Sequence, residues 1–493
     1  MSLINVSNLT FAYEGTYDNI FEHVNFQLDT DWKLGFTGRN GRGKTTFLNL
    51  LLGKYEYSGT ISAQVSFEYF PFPVADPTSQ TLDVISETDP EYIHWKLMRE
   101  LNLLKVAEDV LYRPFNSLSN GEQTKVLLAA LFIKENSFLL IDEPTNHLDM
   151  KARKLVSDYL STKSGYILVS HDRAFLDNCV DHILSINKTN IEIQKGNFSS
   201  WWENKTRQDN FELAEDEKLR RDIKRLSASS KRTGGWAHEV EKSKNGTRNS
   251  GSKLDKGYVG HKAAKMMKRS KSIQQRQESA ITEKSKLLRN IESSDSLEIS
   301  QLPYHKQQLV QLDEVSIIYG EKSVCSEVSF TIEQGDRIAL TGSNGSGKSS
   351  ILKLICGEEI HHTGVIRKDS QLAISYVSQD TSHLQGSLSE YAREHGIDES
   401  LFKSILRKLD FSRTQFEKEL STYSGGQKKK VLIARSLSEK VHLHIWDEPL
   451  NFIDVISRMQ IEELLMEHTP TILFVEHDRE FCANIATKIE ALD

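Results

Sequence analysis

A chain of 493 residues is too long for one hydrophobic core and suits two domains with a connector. Its 38% hydrophobic content and net charge of −7 are ordinary for a water-soluble protein; no run of about 18 apolar residues exists to span a bilayer, and the first residues lack the charged and apolar regions of a signal peptide. Cys179, Cys325, Cys356 and Cys482 are scattered with no C-x-x-C pair, so neither a zinc site nor a disulfide framework is expected and a reducing cytoplasm fits.

From the N-terminus, 32–37 reads as a short apolar strand running into Gly38-Arg39-Asn40-Gly41-Arg42-Gly43-Lys44-Thr45-Thr46, and 46–52 shows helical spacing. The pattern G-x-x-x-x-G-K-S/T is a phosphate-binding loop. Its glycines let backbone N–H groups converge on phosphates, and the helix start adds its positive dipole. Lys44 would reach the β- and γ-phosphates of ATP, and Thr45 would offer its hydroxyl to Mg²⁺. Further buried strands are expected at 138–141 and 166–170, apolar but too short for helices. Asp142 ends the first, placed to hold Mg²⁺ directly or through water. Glu143 follows at once, placed to polarise an attacking water. His171 ends the second, within reach of a γ-phosphate if the two strands are neighbours.

A different composition begins near Trp201. Residues 218–276 carry 18 Lys and Arg against 4 Asp and Glu, a net of +14 that leaves −21 for the rest of the chain. Two helices are expected, about 203–242 and 258–292, with Gly234-Gly235 kinking or breaking the first and a basic loop near 243–257 between them. Such segregation reads as a polyanion-binding arm, or else as a solvated linker. Trp201-Trp202 reads as packing that anchors the connector.

The first half then returns. A strand at 337–341 leads into Gly342-Ser343-Asn344-Gly345-Ser346-Gly347-Lys348-Ser349-Ser350 and a helix at 350–356. Asp447 and Glu448 end a strand at 441–446, and His477 ends one at 472–476. Offsets stay between 304 and 306 residues, so a whole domain is duplicated. Lys348, Ser349, Asp447, Glu448 and His477 take the roles given to their counterparts. Strands alternating with helices imply mostly parallel sheets. The expected fold is α/β: two tandem phosphate-loop nucleotide-binding domains, 1–200 and 306–493, joined by a long α-helical hairpin over 201–305.

Leu118-Ser119-Asn120-Gly121-Glu122-Gln123 and Tyr423-Ser424-Gly425-Gly426-Gln427 resemble the signature motif of ABC ATPases. Asn146-His147-Leu148-Asp149 and Asn451-Phe452-Ile453-Asp454 are similar to their D-loops, and Tyr13 and Tyr319 to the aromatic that stacks on adenine. The resemblance implies two cassettes paired head to tail within one monomer, each signature facing the ATP of the opposite cassette. Lys44, Glu143 and His171 would then face Ser424, and Lys348, Glu448 and His477 would face Ser119. Gln379 matches the family's Mg²⁺- and water-sensing glutamine, whereas Phe72 stands at the corresponding place in the first cassette and Asn120 replaces a signature glycine. Unequal sites are expected.

Two cassettes in one chain, no membrane segment, a helical connector, the phrase Ile141-Asp142-Glu143-Pro144-Thr145-Asn146-His147-Leu148-Asp149 and Gly196-Asn197-Phe198-Ser199 together resemble the ABC-F family of ribosome-associated ATPases. The stretches 31–46 and 255–271 are similar to its antibiotic-resistance branch of the Lsa type. That resemblance implies a cytoplasmic, ribosome-associated protein whose connector enters the exit site of the 70S ribosome and meets 23S rRNA and P-site tRNA. It further implies displacement of lincosamides, pleuromutilins and group A streptogramins from the peptidyl-transferase centre. Lys242, Lys244, Arg248, Lys253, Lys256, Lys262 and Lys265 are the expected phosphate contacts, with Trp236 and Tyr258 as stacking or helix-packing residues. A housekeeping translation factor is the alternative reading, and the ATPase subunit of a drug exporter a further one.

Overall fold

The computed structural model of the chain describes residues 2–13, 19–88, 90, 92–146, 148–186, 191–242, 256–287, 302–319 and 322–492. They form two compact units, one of Met1–Ser199 with Ser294–Asp493 and one of Ser200–Ser293.

In the first cassette β1 (Leu3–Phe11), β2 (Phe21–Asp29), β3 (Lys33–Thr37), β4 (Ser58–Ser62), β5 (Ser66–Phe70), β6 (Ser137–Asp142), β7 (Tyr166–Val169), β8 (His182–Ile186) and β9 (Ile191–Lys195) build two sheets. The larger has the order β5-β6-β7-β3-β8-β9 and is parallel except for the β8–β9 hairpin. In the second, β10 (Gln308–Tyr319), β11 (Lys322–Glu333), β12 (Arg337–Gly342), β13 (His362–Lys368), β14 (Ile374–Val377), β15 (Leu443–Asp447), β16 (Ile472–Val475) and β17 (Lys488–Leu492) repeat the plan, with the parallel order β14-β15-β16-β12-β17.

The antiparallel sheets β2-β1-β4 and β11-β10-β13 are additions that the expectation of mostly parallel sheets did not contain. Their strands alternate polar and apolar residues, and one face of β1 buries Ile4, Val6, Leu9 and Phe11 against Phe36, Phe47 and Leu48. The central strands are buried on both faces, which is why 138–141 and 166–169 read as unbroken apolar runs. Adjacent β6, β7 and β3 all point the same way. Their C-terminal ends therefore gather Asp142, His171 and the phosphate loop at one edge, where ligands of open α/β sheets bind.

The second unit contains two long helices, Phe198–Lys242 and Lys256–Leu287. The first begins five residues before the expected 203 and runs unbroken through Gly234-Gly235. Two glycines weaken a helix by about 1 kcal/mol each without forbidding helical backbone. Exposed pairs such as Arg207–Glu203 at 3.2 Å and Arg221–Glu217 at 3.0 Å, each one helical turn apart, support a helix with little apolar surface. Trp201 is buried, with its ring 6.0 Å from that of Trp202. Trp236 and Lys265 are exposed. Lys244, Arg248, Lys253 and the greater part of the expected basic loop lie outside the described residues, as does His147; of Lys242, Lys256, Tyr258 and Lys262 the structure describes only the helical backbone. Among the described residues no helix is long and apolar enough to cross a membrane.

Candidate nucleotide sites between the cassettes

Each phosphate loop wraps the start of a helix, Lys44–Leu51 or Lys348–Cys356. Gly43 caps the first at φ 95°, and a β-carbon there would lie 2.6 Å from Ile20, so glycine is required on both counts. Lys44 Nζ donates to the Gly38 carbonyl at 2.6 Å, and Lys348 Nζ to Gly342 at 3.0 Å and Ser343 at 2.7 Å. The ammonium groups are thus held inside the loops that would carry phosphate. Burial lowers the pKa of both lysines.

Thr45 Oγ1 donates to Asp142 at 3.3 Å and Ser349 Oγ to Asp447 at 3.1 Å. A hydroxyl and a carboxylate are hard oxygen donors that fit Mg²⁺, an ion usually held by one or two protein groups plus phosphate and water. Tyr69 and Tyr376 also donate to these carboxylates, at 2.9 and 3.4 Å. Neither tyrosine was singled out in the sequence, although they recur at an offset of 307. Tyr13 hydrogen-bonds Thr46 at 2.7 Å and Tyr319 hydrogen-bonds Ser350 at 3.3 Å, tying each ring, 40% and 51% exposed, to its phosphate loop.

The signature serines cap helices Asn120–Phe132 and Gly425–Ser438, each in a reciprocal capping box, with Glu122 and Gln427 respectively. Both helix N-termini face the opposite cassette. Ser119, Asn120, Gly121 and Glu122 line a cavity of about 710 Å³ together with Lys348, Ser349, Gln379, Glu448 and His477. A volume of that size lies within the range of small-molecule sites. On the other side Gly426 has no room for a β-carbon, which would meet Phe452 O at 2.3 Å and Asn40 Nδ2 at 3.0 Å. Gly425 is less confined, since a β-carbon there would come no nearer than 3.6 Å to the Phe452 ring. The equivalent Asn120 is accommodated accordingly.

The catalytic-position carboxylates differ. Glu143 and Glu448 both have left-handed backbone, φ 51° and 46°, a conformation costly for a non-glycine residue and held here by N–H bonds to Val169 and Val475. Glu448 accepts from Gln379 at 2.7 Å and Asn451 at 2.6 Å, and His477 Nε2 lies 3.5 Å away. Burial opposes its ionisation, but the hydrogen bonds from His477, Asn451 and Gln379 prevail and hold its pKa below the usual value. At the chain position matching Gln379 the first cassette carries Phe72. Burial and the adjacent Asp142 push the Glu143 pKa up to about 8, and its Oε1 is a buried acceptor without a hydrogen bond although His171 lies 3.2 Å away. Burial, with Lys44 and Arg458 nearby, lowers the His171 pKa well below the usual value.

Among the described residues the ion pairs between cassettes are also one-sided. Asn40 Nδ2 donates to Phe452 O at 2.7 Å, Arg39 and Arg42 each lie 3.6 Å from Asp410, and Arg173 pairs with Glu462 and, at 3.1 Å, Glu480. All flank the first site. At the equivalent places around the second stand Ser343, Ser346 and Lys105 for Arg39, Arg42 and Asp410, and Ser157 and Ala174 for Glu462 and Glu480. Asp454, buried between Lys430 at 3.1 Å and the field of Lys44, stays ionised well below the carboxylate range in spite of its burial. Asp410 and Arg173 were missed in the sequence because a charge facing another domain carries no local signature, and Lys430 because its partners, Asp454 and the Leu409 carbonyl, are distant along the chain.

The ABC transporter family profile matches residues 21–146 and 325–451. The chain belongs to this ABC family. Its cassettes are two ABC ATP-binding domains, and similarity along the full length to ribosome protection and resistance proteins supports the ABC-F resemblance. The ribosome protection protein VmlR of Bacillus subtilis (strain 168) is 29% identical over 98% of this chain and 84% of its own length. The erythromycin resistance ATP-binding protein MsrA of Staphylococcus epidermidis is 29% identical over 92% and 91%. The ATP-binding protein Uup of Buchnera aphidicola subsp. Acyrthosiphon pisum (strain APS) is 28% identical over 99% and 80%. The archaeal ribosome recycling factor aABCE1, solved in complex with the ribosomal stalk protein aP1, has a TM-score of 0.64 at 18% identity over 98% of this chain and 87% of that one, a likeness of fold.

Proposed function

We propose that this protein is a cytoplasmic, ribosome-directed ABC-F ATPase, whose cassettes close on ATP and whose basic connector acts in the exit site of the 70S ribosome, beside 23S rRNA and P-site tRNA. The observation that carries this reading is a head-to-tail pair of nucleotide sites in a chain whose connector concentrates a net charge of +14 over 218–276. Neutralising phosphates is the dominant source of affinity for RNA. The similarity to VmlR and MsrA supports antibiotic resistance by target protection. The finer reading, release of lincosamides, pleuromutilins and group A streptogramins, rests on the Lsa-type resemblance of 31–46 and 255–271.

In each site the phosphate loop and its lysine would bind the β- and γ-phosphates, and the opposite signature helix would direct its N-terminus at the γ-phosphate. Glu448 or Glu143 would accept a proton from water as its oxygen bonds to the γ-phosphorus and the bond to the bridging oxygen of ADP breaks. Mg²⁺, held by Thr45 with Asp142 or by Ser349 with Asp447, would neutralise charge on the phosphates. The two histidines would orient the carboxylate and the γ-phosphate.

The test is the Glu143→Gln, Glu448→Gln double variant, which should accumulate on 70S ribosomes with ATP. Its failure to co-sediment would overturn the ribosomal reading. Uup, whose name states ATP binding and no resistance role, is also similar over nearly the whole chain; a housekeeping factor is therefore the second reading, and unchanged lincosamide and pleuromutilin susceptibility after gene deletion would support it.

A further inference from the structure

Beside the second nucleotide site lies a separate crevice of about 200 Å³. His477 and Arg153 belong to the walls of both, so the two spaces adjoin across these side chains, Arg153 being paired with Asp172 at 3.3 Å. Lys154 and Arg479, both exposed, line it together with Ser157, Ala174 and two carboxylates, Asp158 and Asp172. The first site has the same elements, with Arg173 in place of Arg479, but the positions of Ser157 and Ala174 hold Glu462 and Glu480. There Arg173 is buried and grips both carboxylates. The salt bridge that plugs the crevice at one site is therefore missing at the other, where Ser157 and Ala174 replace its two carboxylates.

We propose that the crevice is the exit for inorganic phosphate from the second site. Resting on the hydrolysis assigned above, the proposal follows from where the product forms. ADP would remain with its adenine at Tyr319 and its phosphates in the loop, filling the opposite end of the cavity. Orthophosphate, freed beside His477, would leave past Arg153 toward Lys154 and Arg479, cations suited to a mobile anion, without separation of the cassettes. At the first site the Arg173 pairs close that path, and phosphate leaves only after the cassettes part.

The test uses the full-length protein with Glu143→Gln, in which only the second site keeps its carboxylate. Ala174→Glu copies Glu480 and stands in the first turn of helix Arg173–Cys179, where an acidic residue is favourable. In a single turnover, acid-quench hydrolysis should be unchanged while phosphate release, followed with a fluorescent phosphate sensor, slows about tenfold. Unaltered phosphate release in folded Ala174→Glu protein, or equal slowing of ADP and phosphate release, would overturn the exit. Loss of hydrolysis in the Glu143→Gln parent would instead strike the assignment of the second site. Should Ala174→Glu not fold, Lys154→Ala with Arg479→Ala serves: both are exposed, and release unchanged by their loss would also refute it.

Discussion

Replacing Phe72 with glutamine should convert the first site toward the second in its pH dependence. Tyr69 and Tyr376 hold Asp142 and Asp447 from equivalent strand positions, so Phe72 and Gln379, each three residues further on, match in chain position, and Phe72→Gln would offer Glu143 the donor that Glu448 has. At the second site Gln379 donates to Glu448 at 2.7 Å. A hydrogen bond to a charged group is worth about 1.5–3 kcal/mol, and each pKa unit corresponds to about 1.4 kcal/mol, so Phe72→Gln should lower the Glu143 pKa by about one to two units. A carboxyl group works as a base only when ionised. With its pKa near 8, Glu143 is mostly protonated at pH 7, and first-site activity should rise as pH climbs through about 8. The assay is kcat/KM against pH in the Glu448→Gln background, because that ratio reports the free enzyme. Phe72→Gln should move the rising limb down and raise activity at neutral pH. An unmoved limb, or a parental first site whose kcat/KM is flat between about pH 6 and 9, would refute the reasoning.

Asp410→Asn removes the shared partner of Arg39 and Arg42 and should weaken first-site closure by about 1 kcal/mol, read as the ATP concentration needed to close cassettes bearing a donor–acceptor dye pair; additivity with Arg39→Ala in a double-mutant cycle would mean the charges are not coupled. Ser119→Ala should slow hydrolysis measured in Glu143→Gln protein and spare it in Glu448→Gln protein, and Ser424→Ala should do the reverse; loss at the wrong site contradicts head-to-tail pairing. Each serine change also removes a helix cap worth about 1 kcal/mol, so a matching thermal-unfolding measurement separates folding from function. Shortening 243–257 should leave ATP hydrolysis largely intact and abolish drug protection; loss of both would make that segment structural.

Much of the candidate site was legible because its chemistry is local. A phosphate loop needs glycines, a lysine and a hydroxyl within eight consecutive residues, and Asp142-Glu143 and Asp447-Glu448 sit where an apolar strand ends. Duplication made each reading count twice. The Phe72 and Asn120 departures were visible too, since a repeated chain is its own comparison. The unbroken helix through Gly234-Gly235 was not, because propensity sets a modest cost that the remaining turns outweigh.

The sequence by itself determined the α/β class, the two phosphate loops, their carboxylates and the segregation of positive charge into the connector. All of these depend on residue type and short spacing. Only the tertiary structure decided how the two copies differ in use. It placed Asp410 against Arg39 and Arg42, closed Arg173 onto Glu462 and Glu480, joined Gln379 to Glu448, and set a crevice beside His477. The ion pairs among them join residues about 290 to 370 positions apart in the chain. Burial and a neighbouring domain's charges set them, and neither is written in any local run of residues.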